Sequence, residues 1–165
     1  MPALCTFVFS GFTLRPATPG DRPLATSWTE ADLEHSRTTH PDFWLEQSNN
    51  VESYLLSDQI GPVFFFKMQR HSRQQVELHI QFPPESERIT GELLRKRRVM
   101  RGLMLGLQWI EKALSSRGIC ELLFKSHNEN LISFCVKHMG FDREGARLSK
   151  TIAPDRALVN IGKES

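Results

Sequence analysis

The chain has 165 residues, of which 39% are hydrophobic and 24% charged. That fits one domain, residues 1–165, with a real core, and excludes an intrinsically disordered chain. The formal net charge of +2 is near balance, so the total charge calls for no nucleic-acid partner.

The first apolar segment, Leu4 to Leu14, is interrupted at Ser10–Gly11 and reads as a bent strand or two short strands. The start MPALCTFVFSGF lacks a basic region, so no signal peptide is expected. No stretch reaches the length of a membrane span. PATPGDRP is a turn-rich break, and Asp21 is placed to cap a helix with Pro23 in its first turn. Residues 23–57 mix Trp28, Phe43, Trp44 and Tyr54 with polar residues, which suggests one or two amphipathic helices.

VFFFKM (63–68) reads as a buried strand, HSRQQ as a turn, and VELHIQF (76–82) as the second strand of a hairpin. Pro83 and Pro84 stop it, because proline cannot donate to a ladder. Met100, Leu103, Leu107, Ile110 and Leu114 form one helical stripe that Gly118 ends. ICELLF fits a central strand, residues 129–139 a second helix ended by Gly140, and 141–162 two further strands. The order is that of a mixed α/β sandwich. Three cysteines, Cys5, Cys120 and Cys135, are too few and too scattered for a disulfide framework or a zinc pattern. That usage points to a reducing cytoplasm, and no metal is expected.

Two features carry chemistry. In VELHIQF, Val76, Leu78, Ile80 and Phe82 alternate with Glu77, His79 and Gln81. The second row puts a carboxylate, an imidazole and an amide on one side of a strand. Glu77 and His79 are candidates to take a proton, directly or through water. The bland reading is a polar row paired with basic side chains from a covering helix. The second feature is ELLRKRRVMRGLMLG (92–106), with Arg95, Lys96, Arg97, Arg98 and Arg101 close together. It admits three readings: phosphate contacts, a solvated helix end, or a nucleic-acid patch. The last is disfavoured because no aromatics interleave the charges.

NENLISFCVKHMGF (128–141) is an Asn-rich helix start, an apolar helix, then Lys-x-x-Gly-Phe. It resembles the last motif of the GNAT superfamily, the acyl-CoA-dependent N-acyltransferases. FTLRPATPGDRPLA (12–25) is similar to that family's opening, and the 63–82 hairpin followed by proline to its third and fourth strands. The likeness runs over about residues 12–141, and the compact form looks like the short members found in phages and prophages. The resemblance implies a mixed, mostly antiparallel sheet with splayed central strands and helices on both faces. It implies acetyl-CoA as co-substrate and an amine acceptor, small molecule or protein, meeting in one ternary complex. It places the pantetheine arm on the backbone of Ile80, Gln81 and Phe82. It puts Asn128 beside the acyl-CoA arm, with Asn130 an equal candidate by spacing. The family's pyrophosphate loop reads Q/R-x-x-G-x-G/A at a helix start. In the 92–106 segment only Gly102 offers a loop glycine, so Arg97, Arg98 and Arg101 are expected to supply the phosphate contacts beside it. Gly106 is expected to be a helix-packing position. The family's Tyr acid, five residues before the Gly-Phe phenylalanine, is replaced by Val136. Those departures support an alternative, a catalytically degraded GNAT-fold module that binds protein or nucleic acid.

Overall fold

The computed structural model describes residues 6–32, 40–84 and 92–153. Eight strands and three α-helices follow one another as β1 (Phe7–Phe9), β2 (Phe12–Pro16), α1 (Arg22–Ala31), β3 (Val51–Ser57), β4 (Pro62–Arg70), β5 (Gln75–Gln81), α2 (Glu92–Ser116), β6 (Glu121–Lys125), α3 (Glu129–His138), β7 (Asp142–Glu144) and β8 (Arg147–Thr151). Short 3-10 turns cover Pro19–Asp21 and Pro41–Leu45. The sheet order is β1-β2-β3-β4-β5-β6-β8-β7. β5 and β6 run parallel, whereas the β1–β2, β2–β3, β6–β8 and β7–β8 pairs are antiparallel.

The chain divides into two compact units, one of Met1–Met68 with Ile80–Leu105, the other of Gln69–His79 with Gly106–Ser165. In the first unit, the break at Ser10–Gly11 is a two-residue hairpin turn. Both residues have positive φ, 47° and 82°, the backbone that a tight hairpin with matched twist requires. One apolar cluster joins Ala17, Ala25, Trp28, Trp44, Leu55 and Phe65, with Trp28 set edge-on to Phe65 at 5.5 Å. A second group stacks Tyr54 on Phe66 at 5.0 Å and sets Phe82 edge-on to Phe64. α2 closes on Leu56 and Phe64 at Gly102, where an added Cβ would come within 3.0 Å of Leu56 and 3.1 Å of Phe64.

Three sequence expectations change here. The expected helices of 23–57 reduce, among the described residues, to α1 and the Pro41–Leu45 turn. VESYLLS (51–57) is a strand, paired to β2 from Ser57↔Thr13 to Tyr54↔Pro16. Asp21 precedes α1 but does not cap it. Its carboxylate turns back to Arg15, at 2.6 and 2.7 Å, and accepts the Thr18 amide at 2.8 Å. Met100 is 45% exposed and lies off the buried stripe, which begins at Leu103.

In the second unit, Leu107, Ile110 and Leu114 of α2 are buried, as are Leu122, Phe124, Ile132, Cys135, Phe141 and Leu148. α2 ends in a Schellman motif. The Ile119 amide donates to Leu114 O, the Gly118 amide donates to Ser115 O, and Gly118 has φ 78°. The β4–β5 hairpin turn is closed by the His71 amide donating to Gln75 O.

Candidate functional site

β5 pairs with β6 from Gln75↔Glu121 to Leu78↔Phe124. The strand itself runs on to Gln81, three residues past the last rung. Pro83 and Pro84 then follow and have no amide to offer a neighbouring strand. This is the local chemistry of a strand end that leaves backbone groups for something other than a ladder.

In the first unit, the end of β5 is tied down from two sides. Arg95 of α2 donates to Pro83 O at 2.6 Å. Gln81 is fully buried, and its Nε2 donates to Asp32 Oδ2 at 2.8 Å and to Phe82 O at 3.1 Å. Ile80 is buried as well, and Phe82 packs on Phe64. Of the three residues expected along a pantetheine arm, Ile80 and Gln81 are buried, and Phe82 is partly buried with its carbonyl accepting from Gln81.

The basic segment does not form a loop. α2 is helical from Glu92, so Arg95 to Arg101 lie within it. Arg98 is committed to structure. It clamps Asp58 with two hydrogen bonds, of 2.7 and 2.8 Å, and donates to Gly61 O and Pro62 O. It is thereby corrected from a phosphate contact to the pin of the β3–β4 turn. Gly102 is likewise no loop glycine. It lies ten residues into the helix, where the absence of a side chain admits Leu56 and Phe64. Gly106 is buried too. Arg97 and Arg101 are exposed; Arg101 reaches Ser10 O at 3.4 Å and sits 5.7 Å from the Phe12 ring.

With the helix beginning by Glu92, the pattern Q/R-x-x-G-x-G/A finds a different match in the sequence. Arg88-Ile89-Thr90-Gly91 fills its first four positions, and Leu93 departs from the last. Arg88 to Gly91 lie outside the described residues.

In the second unit, Glu77 is the centre of a short polar chain. Its Oε2 pairs with His71 Nε2 of the hairpin turn, and its Oε1 stands 3.9 Å from His79 Nε2. Glu77 is mostly covered, with 15% of its side chain exposed, against 31% for His79. Glu77 is thus paired within its own hairpin, to a histidine of the turn. His71, which shows no grouping in the sequence, belongs to that polar chain because the turn folds six residues back onto the strand.

Asn128 is the N-cap of α3, its Oδ1 accepting the Leu131 amide at 3.2 Å. At the position of the family's acid, Val136 is 39% exposed. Beside it Cys135 is buried, and burial pushes its thiol up to about 11. It stays protonated and cannot act as a nucleophile at neutral pH. Tyr54 is buried in β3, its hydroxyl donating to Glu52 at 2.8 Å. Among the described residues, no group of three or more His, Cys, Asp or Glu side chains could hold a metal, and no helix is long and apolar enough to cross a membrane.

No family model matches the chain, and a search of curated proteins returns no significant match. Solved structures do match it. The ribosomal-protein-S18-alanine N-acetyltransferase from Escherichia coli aligns with a TM-score of 0.62 at 16% identity, over 87% of this chain and 96% of that one. A ribosomal L7/L12 alpha-N-protein acetyltransferase in complex with coenzyme A aligns at 0.62 and 16%, over 90% and 98%. An acetyltransferase of the GNAT family from Streptococcus pneumoniae aligns at 0.58 and 17%, over 86% and 99%. At such identities the likeness is one of fold: the chain has the architecture of the GNAT N-acetyltransferases.

Proposed function

We propose that the protein is an N-acetyltransferase that passes an acetyl group from acetyl-CoA to an amine in one ternary complex. The observation that carries the reading is the end of β5. It continues three residues beyond its ladder with β6 and stops at two prolines, in a fold whose solved relatives include a coenzyme A complex. Backbone groups of Ile80, Gln81 and Phe82 take the pantetheine amides. Exposed Arg97 and Arg101 supply cationic contacts to the phosphates. The amide of Asn128 contacts the acyl-CoA arm while its carbonyl caps α3.

In the transfer, the neutral amine nitrogen attacks the thioester carbon, the C–S bond breaks, and the CoA thiolate leaves. The amine proton goes to His79, with Glu77 holding the imidazole and His71 holding Glu77. Free Cys120 and Cys135 are in keeping with a reducing cytoplasm. The test pairs two measurements. Acetyl-CoA should raise the melting temperature more than acetyl-pantetheine does. Added amines should then release CoA thiol, read with a thiol reagent. A chain that binds neither ligand would be no acyltransferase, and binding assays with protein and nucleic acid would take over.

A further inference from the structure

Six large hydrophobic side chains are exposed among the described residues, and three of them, Leu94, Met100 and Met104, stand on α2. Helix geometry says where two of these point. Successive residues turn by about 100°, so a residue two places from Gly102 points about 200° away from it. Gly102 faces Leu56 and Phe64 of the sheet. Met100 and Met104 therefore point away from the sheet, 45% and 43% exposed. Lys96, Arg97 and Arg101 are exposed on the same stretch of helix. No acidic residue interrupts the chain from Leu93 to Ile110. Asp58, in the turn alongside, is neutralised by Arg98. That turn also presents Ile60, 50% exposed, whose amide donates to Asp58 Oδ1 at 2.9 Å. The first unit thus carries a helical ridge that is basic throughout and has Ile, Leu and Met side chains standing out among the cations.

We propose that this ridge docks the protein on an anionic lipid surface. Charge complementarity sets the sign of the partner: cations without an acidic neighbour call for a polyanion. The apolar side chains select among polyanions. At a bilayer interface Met100, Met104, Leu94 and Ile60 enter the acyl boundary, while the long stems of Lys96, Arg97 and Arg101 carry their charges to the headgroups. A nucleic acid would meet the same cations but leave the methionines against phosphate, with no aromatic ring on the ridge for a base to stack on. An acidic peptide would need a groove to receive its anchors, and a ridge offers none. The proposal stands apart from acyl transfer. Because that reading gives Arg97 and Arg101 to phosphates, the test alters only the apolar residues.

The probes are vesicles of phosphatidylcholine alone and of an equimolar mixture with phosphatidylserine, sedimented with the full chain. Binding to the mixed vesicles should exceed binding to the neutral ones by about tenfold or more at low salt, and should weaken as salt is raised. The double variant Met100→Glu, Met104→Glu should bind the mixed vesicles about tenfold less, with an unchanged melting temperature, because both side chains already face water. Met104→Ser should weaken binding in the same direction, and it carries the test if the double variant does not fold. Equal binding to both vesicle types, no binding at low salt, or parental binding by the methionine variants would overturn the proposal. So would duplex DNA or polyglutamate bound as tightly as the mixed vesicles and equally well by the variants, which would make the ridge a site for polyanions at large. A protein that docks on vesicles yet binds no acetyl-CoA would keep this inference and lose the acyltransferase reading.

Discussion

At Asp58, burial pushes the carboxyl up, but hydrogen bonds from Arg98 and the Gly61 and Ile60 amides, with the Arg98 charge, hold it below the ordinary carboxylate range. Asp21 is also held low, first by its hydrogen bond from Arg15, against the opposing effect of burial. A carboxyl whose folded pKa is depressed adds stability above its unfolded pKa. It loses that stability as pH falls through the folded value. Asp58→Asn should therefore cost about 1–2 kcal/mol at pH 7, with the deficit closing as the pH drops well below about 4. Urea midpoints of parent and variant across that range check it. Arg98→Ala should cost about 2–3 kcal/mol, because it leaves Asp58 short of its charged partner. Arg97→Glu should change stability by less than about 0.5 kcal/mol and weaken acetyl-CoA binding instead. The His71–Glu77–His79 chain makes its own prediction. His79→Gln should abolish the acidic limb of the transfer rate, whereas His71→Gln should shift that limb without abolishing it. Identical profiles in all three proteins would make the chain structural.

Among the elements, α2 and α3 have structural roles and, on the acyl-transfer reading, ligand roles as well. Gly102→Ala gains about 1 kcal/mol of helix propensity, but its Cβ must displace buried Leu56 and Phe64. Overpacking costs about 1–3 kcal/mol, so the variant should be less stable, by thermal or urea unfolding. At α3, Asn128→Asp keeps the capping oxygen and removes the amide, whereas Asn128→Ala removes both. Loss of acetyl-CoA affinity in both variants assigns the amide to the ligand; loss of about 1 kcal/mol of stability in the alanine variant alone assigns the cap. β5, α2 and α3 were legible because each carries a clean period and a proline or glycine stop, and β4 and β6 because each is a short, almost wholly apolar run. β3 was not. VESYLLS does not alternate, since it is covered on both faces and buries Glu52 and Ser53. Their polarity is met by Tyr54 Oη, by Glu46 O and by the Gln47 amide, partners that no local pattern announces. The candidate base pair was visible as an i, i+2 spacing on one strand, and His71 was not, because a turn rather than a period brings it there. The expectation of a loop at Gly102 failed for a related reason. Charge density marked residues 95–101, but charge does not say where a helix begins.

For the whole molecule, the measurable consequence of the acyl-transfer reading is linkage. At about 100 times its Kd, acetyl-CoA should stabilise the chain by about 2.7 kcal/mol, a rise in melting temperature of about 5–10 °C for this size. Arg98→Ala should lower the unliganded melting temperature.

The first compact unit is discontinuous in sequence, since it takes in Ile80–Leu105 as well as Met1–Met68. Leu56 and Phe64 meet the helix that covers them at Gly102. A chain emerging from the ribosome therefore carries Phe64 of the run VFFFKM without its helix until residue 102, more than thirty residues after the run ends. At about 5–20 residues per second that is a wait of a few seconds, with an apolar strand open to other chains. The vulnerable species is the growing polypeptide rather than the finished protein. Yield on synthesis should accordingly depend on chaperones and on slow translation before residue 102 far more than the stability of the folded chain would suggest.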